Sequence, residues 1–198
     1  MKIYIDPGHG EGTNGKPDPG AIGPTGLTEN TVTFDLGKRL GNLLRAKGFL
    51  TLGATLGTAR DAESFSEAIA AANAQEADLF VSIHCNAATA PTARGVEAWY
   101  GSGTTAQTVA TTILQRIGEQ LAGGTGAWVQ GRRYPLVNRG AKKGRFAVLT
   151  KTRMPAVLVE LAFISNSQEE AWLKDHRVRQ QFAQAIADGI ADVVTKGA

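Results

Sequence analysis

Two of the three histidines in this 198-residue chain follow short apolar runs. His9 comes just after KIYID (2–6), in Asp6-Pro7-Gly8-His9-Gly10, and His84 ends LFVSIH (79–84). Two carboxylates have comparable positions. Glu29 opens a helical pattern after a long Gly- and Pro-rich stretch, and Glu160 interrupts the otherwise apolar AVLVEL (156–161). A carboxylate buried unpaired in such a run costs several kcal/mol, so Glu160 needs a cation, a metal or a function. Two imidazoles and one carboxylate form the ligand set of a hydrolytic Zn²⁺ with an open fourth position. A further carboxylate that does not bind the ion is the usual general base for its water. The spacing is long-range rather than HExxH, and the residue types alone do not say which carboxylate has which task. Each residue also has an ordinary explanation: His9 as a turn residue, His84 as a hydrogen-bonded core histidine, Glu29 as a complement to a helix dipole, Glu160 as half of a buried salt bridge. His176, among the polar residues of KDHRVR, belongs on the surface.

The elements that must carry these residues alternate along the chain. KIYID (2–6) reads as a strand, and 7–27, rich in Gly and Pro, as loop. Residues 29–47 place Val32, Leu36, Leu40, Leu43 and Leu44 at helical spacing, with Thr28 or a neighbour as cap and Gly48 as the stop. Strands are expected at 49–56, 79–84, 95–100, 146–149 and 156–161, the last central because it is so apolar. Helices are expected at 62–77, at 105–122 with Gly123–Gly124 ending it, at 167–174 and at 178–194. This alternation predicts one α/β domain over 1–198, a twisted, mostly parallel sheet with helices on both faces. Ligands of such sheets bind beyond the carboxyl ends of the strands, where His9, His84 and Glu160 all fall.

Composition closes off other classes. Hydrophobic content of 42% and charged content of 20% are those of a globular chain. One cysteine makes no intrachain disulfide, and no apolar run approaches the ~18 residues of a membrane span. The opening MKIYIDPGHG has three apolar residues before Asp6, too few for the roughly 7–15-residue core of a secretory signal, so synthesis in the cytoplasm without an export address is expected. The formal net charge is +3, but the excess is local: Arg132, Arg133, Arg139, Lys142, Lys143, Arg145, Lys151 and Arg153 have no acid among them. That stretch is either a solvated face or a contact for an anionic partner. Nucleic acid is not the expected partner, since no aromatic–basic interleaving accompanies the charge.

At the candidate site the sequence becomes recognisable. IDPGHG (5–10), DPGAIG (18–23), GLTEN (26–30), ADLFVSIHCNA (77–87), RGVEAWY (94–100), NRGAKKGRFAVLTKTRMPAVLVELAFISN (138–166) and RQQFAQAIADGI (179–190) together resemble the zinc-dependent N-acetylmuramoyl-L-alanine amidases of the Amidase_3 type. The resemblance implies that His9, Glu29 and His84 bind one zinc and that Glu160 is the catalytic carboxylate. It implies a mixed sheet of about six strands. It implies hydrolysis of the amide between N-acetylmuramic acid and L-alanine in peptidoglycan by a zinc-activated water. A zinc peptidase acting on the stem peptide, or a non-catalytic wall-binding module of the same fold, is the alternative. The expected setting is the bacterial wall, most simply as the catalytic domain of a phage or prophage endolysin, or else of a host autolysin, with no separate wall-binding domain. Arg132–Arg153 would then face the acidic stem peptide or anionic wall polymers, and the loop over 10–25 would wall the substrate groove. Two positions depart from the pattern. Cys85 stands where similar proteins usually have Ala and, alternating with His84, should be a small buried filler. Ala68 stands where relatives tend to carry Arg. The match is poor over 101–137.

Overall fold

Strand alternation sets the layers. In the computed structural model, which describes residues 1–11, 16–53, 64–122, 128–129, 132–133 and 136–196, the first half of the chain runs β1 (Lys2–Pro7), β2 (Gly10–Glu11), β3 (Pro17–Asp18), α1 (Glu29–Ala46), β4 (Leu50–Leu52), α2 (Phe65–Ala74), β5 (Leu79–Asn86) and β6 (Val96–Tyr100). It continues through α3 (Thr104–Ala122), β7 (Trp128–Val129), β8 (Arg132–Arg133), β9 (Asn138–Lys143), α4 (Ala147–Thr150), β10 (Ala156–Phe163), α5 (Ser167–Lys174) and α6 (His176–Lys196). Six strands form one sheet in the order β4-β1-β5-β10-β6-β9. The four from β4 to β10 are mutually parallel; β6 runs antiparallel to β10, and β9 runs with β6. The chain is thus a single α/β domain with a mostly parallel sheet, as the alternation predicts, made mixed and six-stranded as the resemblance implies, and β10 is central.

Ile3 and Ile5, Val81 and Ile83, and Val157 and Val159 point to one face, where they pack in one core with α1, α3, α5 and α6. Leu36, Leu40 and Leu44 of α1 are fully buried there, and each contributes about 1.5–3 kcal/mol by leaving water. Cys85 points into the same core, 3% exposed, the filler its position predicts. Tyr4, Phe80, Ala156 and Leu158 point the other way, onto α2 and α4. Ala68, 1% exposed, is part of that second, smaller core. This cover reaches only the first half of each strand. Further along the same face come Ser82, His84 and Glu160, and polar groups replace apolar ones where the helices stop.

Helix ends follow the sequence. Gly48, at φ +87, ends α1 as expected. Ser64 and Glu67 form a reciprocal capping box on α2. Thr28 occupies the cap position of α1, but its hydroxyl turns to Asn30 and Thr31 and caps nothing.

Several expectations are corrected. Residues 146–149 do not form a strand. Residues 147–150 make one helical turn, α4, closed by the Leu149 and Thr150 N–H groups on the Phe146 carbonyl. Four apolar residues carry no period that separates the two structures, and both edges of neighbouring β10 are already taken by β5 and β6. Residues 7–27 are not all loop: Pro7 belongs to β1, and β2 pairs with β3. Strand β9 lies in a stretch read only as basic. Its NRGAKK sequence suits an exposed sheet edge, where lysines discourage further pairing. The expected strand 49–56 is observed at Leu50–Leu52 and the expected helix 62–77 at Phe65–Ala74; residues 54–63 and the Gly123–Gly124 stop lie outside the described residues. No helix among the described residues is long and apolar enough to cross a membrane.

Candidate metal centre

The carboxyl ends of β1 and β5 and the amino end of α1 meet at one point. Beyond β1, Gly8 donates its N–H to the Ile83 carbonyl at 2.9 Å, and His9 turns inward with φ +66, a left-handed conformation uncommon outside glycine. Gly8 has to be small: a Cβ there would stand 2.3 Å from Cε1 of His84. Gly20 is constrained in the same way, since its Cβ would fall 2.6 Å from the His9 ring and 2.7 Å from Glu29 Oε2.

Glu29, the first residue of α1 and 3% exposed, lies between the two imidazoles. Its Oε1 accepts the Cys85 N–H at 2.8 Å and lies 3.0 Å from His84 Nδ1. Its Oε2 accepts the Ala21 N–H at 3.0 Å and lies 3.2 Å from His9 Nε2. The rings of His9 and His84 meet edge to face with centroids 5.1 Å apart. One donor atom from each of His9, Glu29 and His84 lies within 4.8 Å of the other two. Asp18, at the end of β3, holds the far side of the His9 ring, with Oδ2 at 2.9 Å from Nδ1.

Charge is shared tightly among these groups. Burial opposes ionisation of Glu29, but the bonds from His84 and His9 outweigh it and hold the carboxyl well below its usual range. The bond to Glu29 raises His9 to about 9 against a burial cost, with Asp18 adding to the rise. Burial works against a charged His84 too, and the bond to Glu29 with the charge of Glu160 still raises it. The two imidazole–carboxylate bonds lie where a divalent cation would satisfy the same three groups, and the donor set suits zinc.

Glu160 pairs in register with His84 across β10 and β5, on the same face of the sheet. Its Oε2 is buried and has no hydrogen-bond partner among the described residues. Burial, with the nearby negative charges of Glu29 and Glu97, pushes the carboxyl up to about 7, against the pull of His84. A carboxyl in this state exchanges a proton at neutral pH. The structure thus gathers His9, Glu29 and His84 at one point and sets Glu160 beside them, while His176 is exposed on α6.

Two features of the neighbourhood are not apparent from the sequence reading. Asp18 lies in the DPGAIG segment, whose role as a second carboxylate on His9 depends on the hairpin that brings it back. Glu97, 4% exposed, is the cross-strand neighbour of Glu160 in the β10–β6 pair. It accepts from Arg139 Nε at 2.8 Å and Lys142 Nζ at 2.6 Å, both on β9, and from Asn86 at 2.9 Å. The alternation of VEAWY places Glu97 on the site face, but its partners belong to the strand that sequence reading missed.

A family model described as N-acetylmuramoyl-L-alanine amidase matches residues 3–192. The chain belongs to the N-acetylmuramoyl-L-alanine amidase family. Within that family it is 38% identical to the amidase LytC of Bacillus subtilis over 188 residues, 94% of this chain and 34% of that protein. It is 33% identical to the endolysin of Bacillus phage SPP1 over 97% of this chain and 65% of the endolysin. Among solved structures, the amidase AmiC2 of Nostoc punctiforme superposes with a TM-score of 0.83 at 29% identity, covering 98% of this chain and 97% of that one. The chain spans about a third of LytC and about two thirds of the endolysin.

Proposed function

We propose that the chain hydrolyses the amide joining N-acetylmuramic acid to L-alanine in peptidoglycan, with zinc held by His9, Glu29 and His84 and with Glu160 moving the proton. Glu160 carries this reading: a carboxyl on a central strand, in register with one of the gathered imidazoles, with a buried oxygen that no group among the described residues satisfies. A purely structural carboxylate in that position would have a cation beside it, as Glu97 does.

Zinc, when bound, supplies Lewis acidity toward the scissile carbonyl and makes water a stronger acid. The chain's own groups do the rest. Glu160 accepts a proton at Oε2 from the attacking water and returns it to the departing alanine amine. Asp18 fixes the tautomer and direction of the His9 ring. The Cys85 and Ala21 N–H groups hold both oxygens of Glu29 in place. Residues 16–27, on the His9 side of the site, would form one wall of the substrate groove. Action on the bacterial wall fits relatives that include a phage endolysin and wall amidases.

Mass spectrometry of the fragments released from purified peptidoglycan, with added zinc and with chelator, tests the reading. The expected products are intact stem peptides with free L-alanine amino termini and uncut glycan strands, absent under chelation. Cleavage within the stem peptide would make the chain a peptidase, and no release under either condition would leave a binding module.

A further inference from the structure

The basic stretch between Arg132 and Arg153 is divided in space. Arg139 and Lys142 turn onto the sheet and share Glu97 as their carboxylate partner. Lys143, Arg145 and Arg153 instead line a concavity of about 390 Å³ at the opposite edge of the sheet from His84 and Glu160. The topology explains its place. Strands β6 and β9 leave the sheet at this edge and β10 enters from it, so the residues after Tyr100, around Lys143 and before Ala156 converge. Glu160 lies four residues further along β10, about 13 Å away at strand rise.

Three properties make this a binding surface. No acid lines it, and none of the three cations has a carboxylate partner among the described residues. Its walls are firm: Gly101 runs so close to α4 that a Cβ there would stand 2.4 Å from the Leu149 carbonyl oxygen, and Gly144 packs on Trp99 and Phe146. Its lining contains no aromatic side chain, so it offers no platform on which a base could stack. Exposed single cations gain little from one small anion. Several facing one concavity favour a polymer with repeated negative charge, and guanidinium groups match phosphate oxygens in pairs.

We propose that this pocket binds the phosphodiester backbone of an anionic cell-wall polymer, holding the domain on the wall without obstructing the catalytic edge. The wall as the source of the polymer rests on the function proposed above; binding in the pocket does not, and it is measured apart from hydrolysis.

The test titrates the full chain with fluorescently labelled poly(glycerol phosphate) at low salt. Poly-glutamate, oligo-thymidylate of matched charge and vesicles containing phosphatidylglycerol serve as parallel probes. Arg145→Ala with Arg153→Ala should weaken polymer binding about tenfold or more, and the difference should shrink at high salt as charges are screened. Lys38→Ala with Arg177→Ala, an equal loss of charge elsewhere on the surface, should change binding little. Both double variants should keep wild-type turnover of polymer-free peptidoglycan fragments. Failure of the wild type to bind the polymer, equal binding by the two double variants, or tighter binding of any of the other three probes would overturn the proposal.

Discussion

Glu160 and His84 face each other in the parallel pairing of β10 with β5, one with an unsatisfied buried oxygen and the other tied to Glu29. This register sets the carboxyl proposed to move the proton beside the three groups proposed to hold the ion. Glu160→Gln keeps the shape and removes the titrating group. Turnover should fall by about 10²–10⁴, while zinc stoichiometry by atomic absorption stays at one per chain. In the wild type, kcat/KM should rise with pH along an acid limb to a plateau, because only ionised Glu160 accepts a proton. The limb should lie below the value of about 7 that burial gives the metal-free carboxyl, since the zinc charge favours its ionised form. A variant with wild-type turnover, or one that loses its zinc, would contradict this assignment.

The same substitution should stabilise the metal-free protein at alkaline pH. Burial raises Glu160 from an ordinary carboxyl value to about 7. The neutral form is therefore the one the fold prefers, and its contribution is complete below the unfolded value and lost as pH rises through 7. Above that, the wild type carries a penalty of about 3 kcal/mol that glutamine does not. Urea denaturation of both proteins without metal should give equal stability near pH 4 and a more stable Glu160→Gln near pH 8.5.

Gly8 gives a way to separate the metal from the fold. An added methyl would meet the His84 ring at 2.3 Å and force it out of line. Gly8→Ala should lose zinc and activity together. Its circular dichroism should match the wild type, since the Gly8 N–H bond to Ile83 remains possible. Retention of zinc at wild-type affinity would show that the imidazole is not held where the ion binds.

Much of this site was legible because strand ends and polar residues coincide in the sequence. His84 and Glu160 terminate or interrupt apolar runs, but their common face follows from the β10–β5 register, which the sequence does not show. The mostly parallel sheet followed from the alternation of elements, and its mixed character from the family resemblance alone. What was hidden depends on pairing between distant segments. Asp18 reaches His9 through a hairpin of two-residue strands, too short for any periodic signal. Strand β9 has almost no apolar residues to declare it, so the pairing of Arg139 and Lys142 with Glu97 could not be foreseen. At 146–149, an apolar tetrad gave a strand reading where β10 had no free edge left to offer.

Metal and protons should compete at the site. His9 is raised to about 9 by its bond to Glu29 and by Asp18, so in the metal-free protein it is protonated at neutral pH. With the proposed ligand set zinc would displace that proton, and affinity should weaken as pH falls below 9. Competition against a fluorescent chelator at pH 6, 7 and 8 should show affinity increasing with pH, and calorimetry in buffers of different ionisation enthalpy should show protons released. Asp18→Asn, which removes a carboxylate from the His9 ring, should cost about 10–100-fold in zinc affinity.

Glu97 should tune Glu160 from the neighbouring strand. Its negative charge helps raise Glu160, while Arg139 and Lys142 hold it ionised in a buried position. Glu97→Gln leaves those two cations without their counter-charge and removes a negative neighbour, and both changes favour the ionised form of Glu160. The acid limb of the kcat/KM profile should therefore move to lower pH than in the wild type, and activity at pH 5.5 should rise relative to its plateau. The paired variant Glu97→Gln with Lys142→Met returns one of the two charges to balance and should move the limb part of the way back. A limb unmoved in Glu97→Gln would mean that Glu97 acts only as an anchor for β9, and the variant would then show its loss in thermal stability alone.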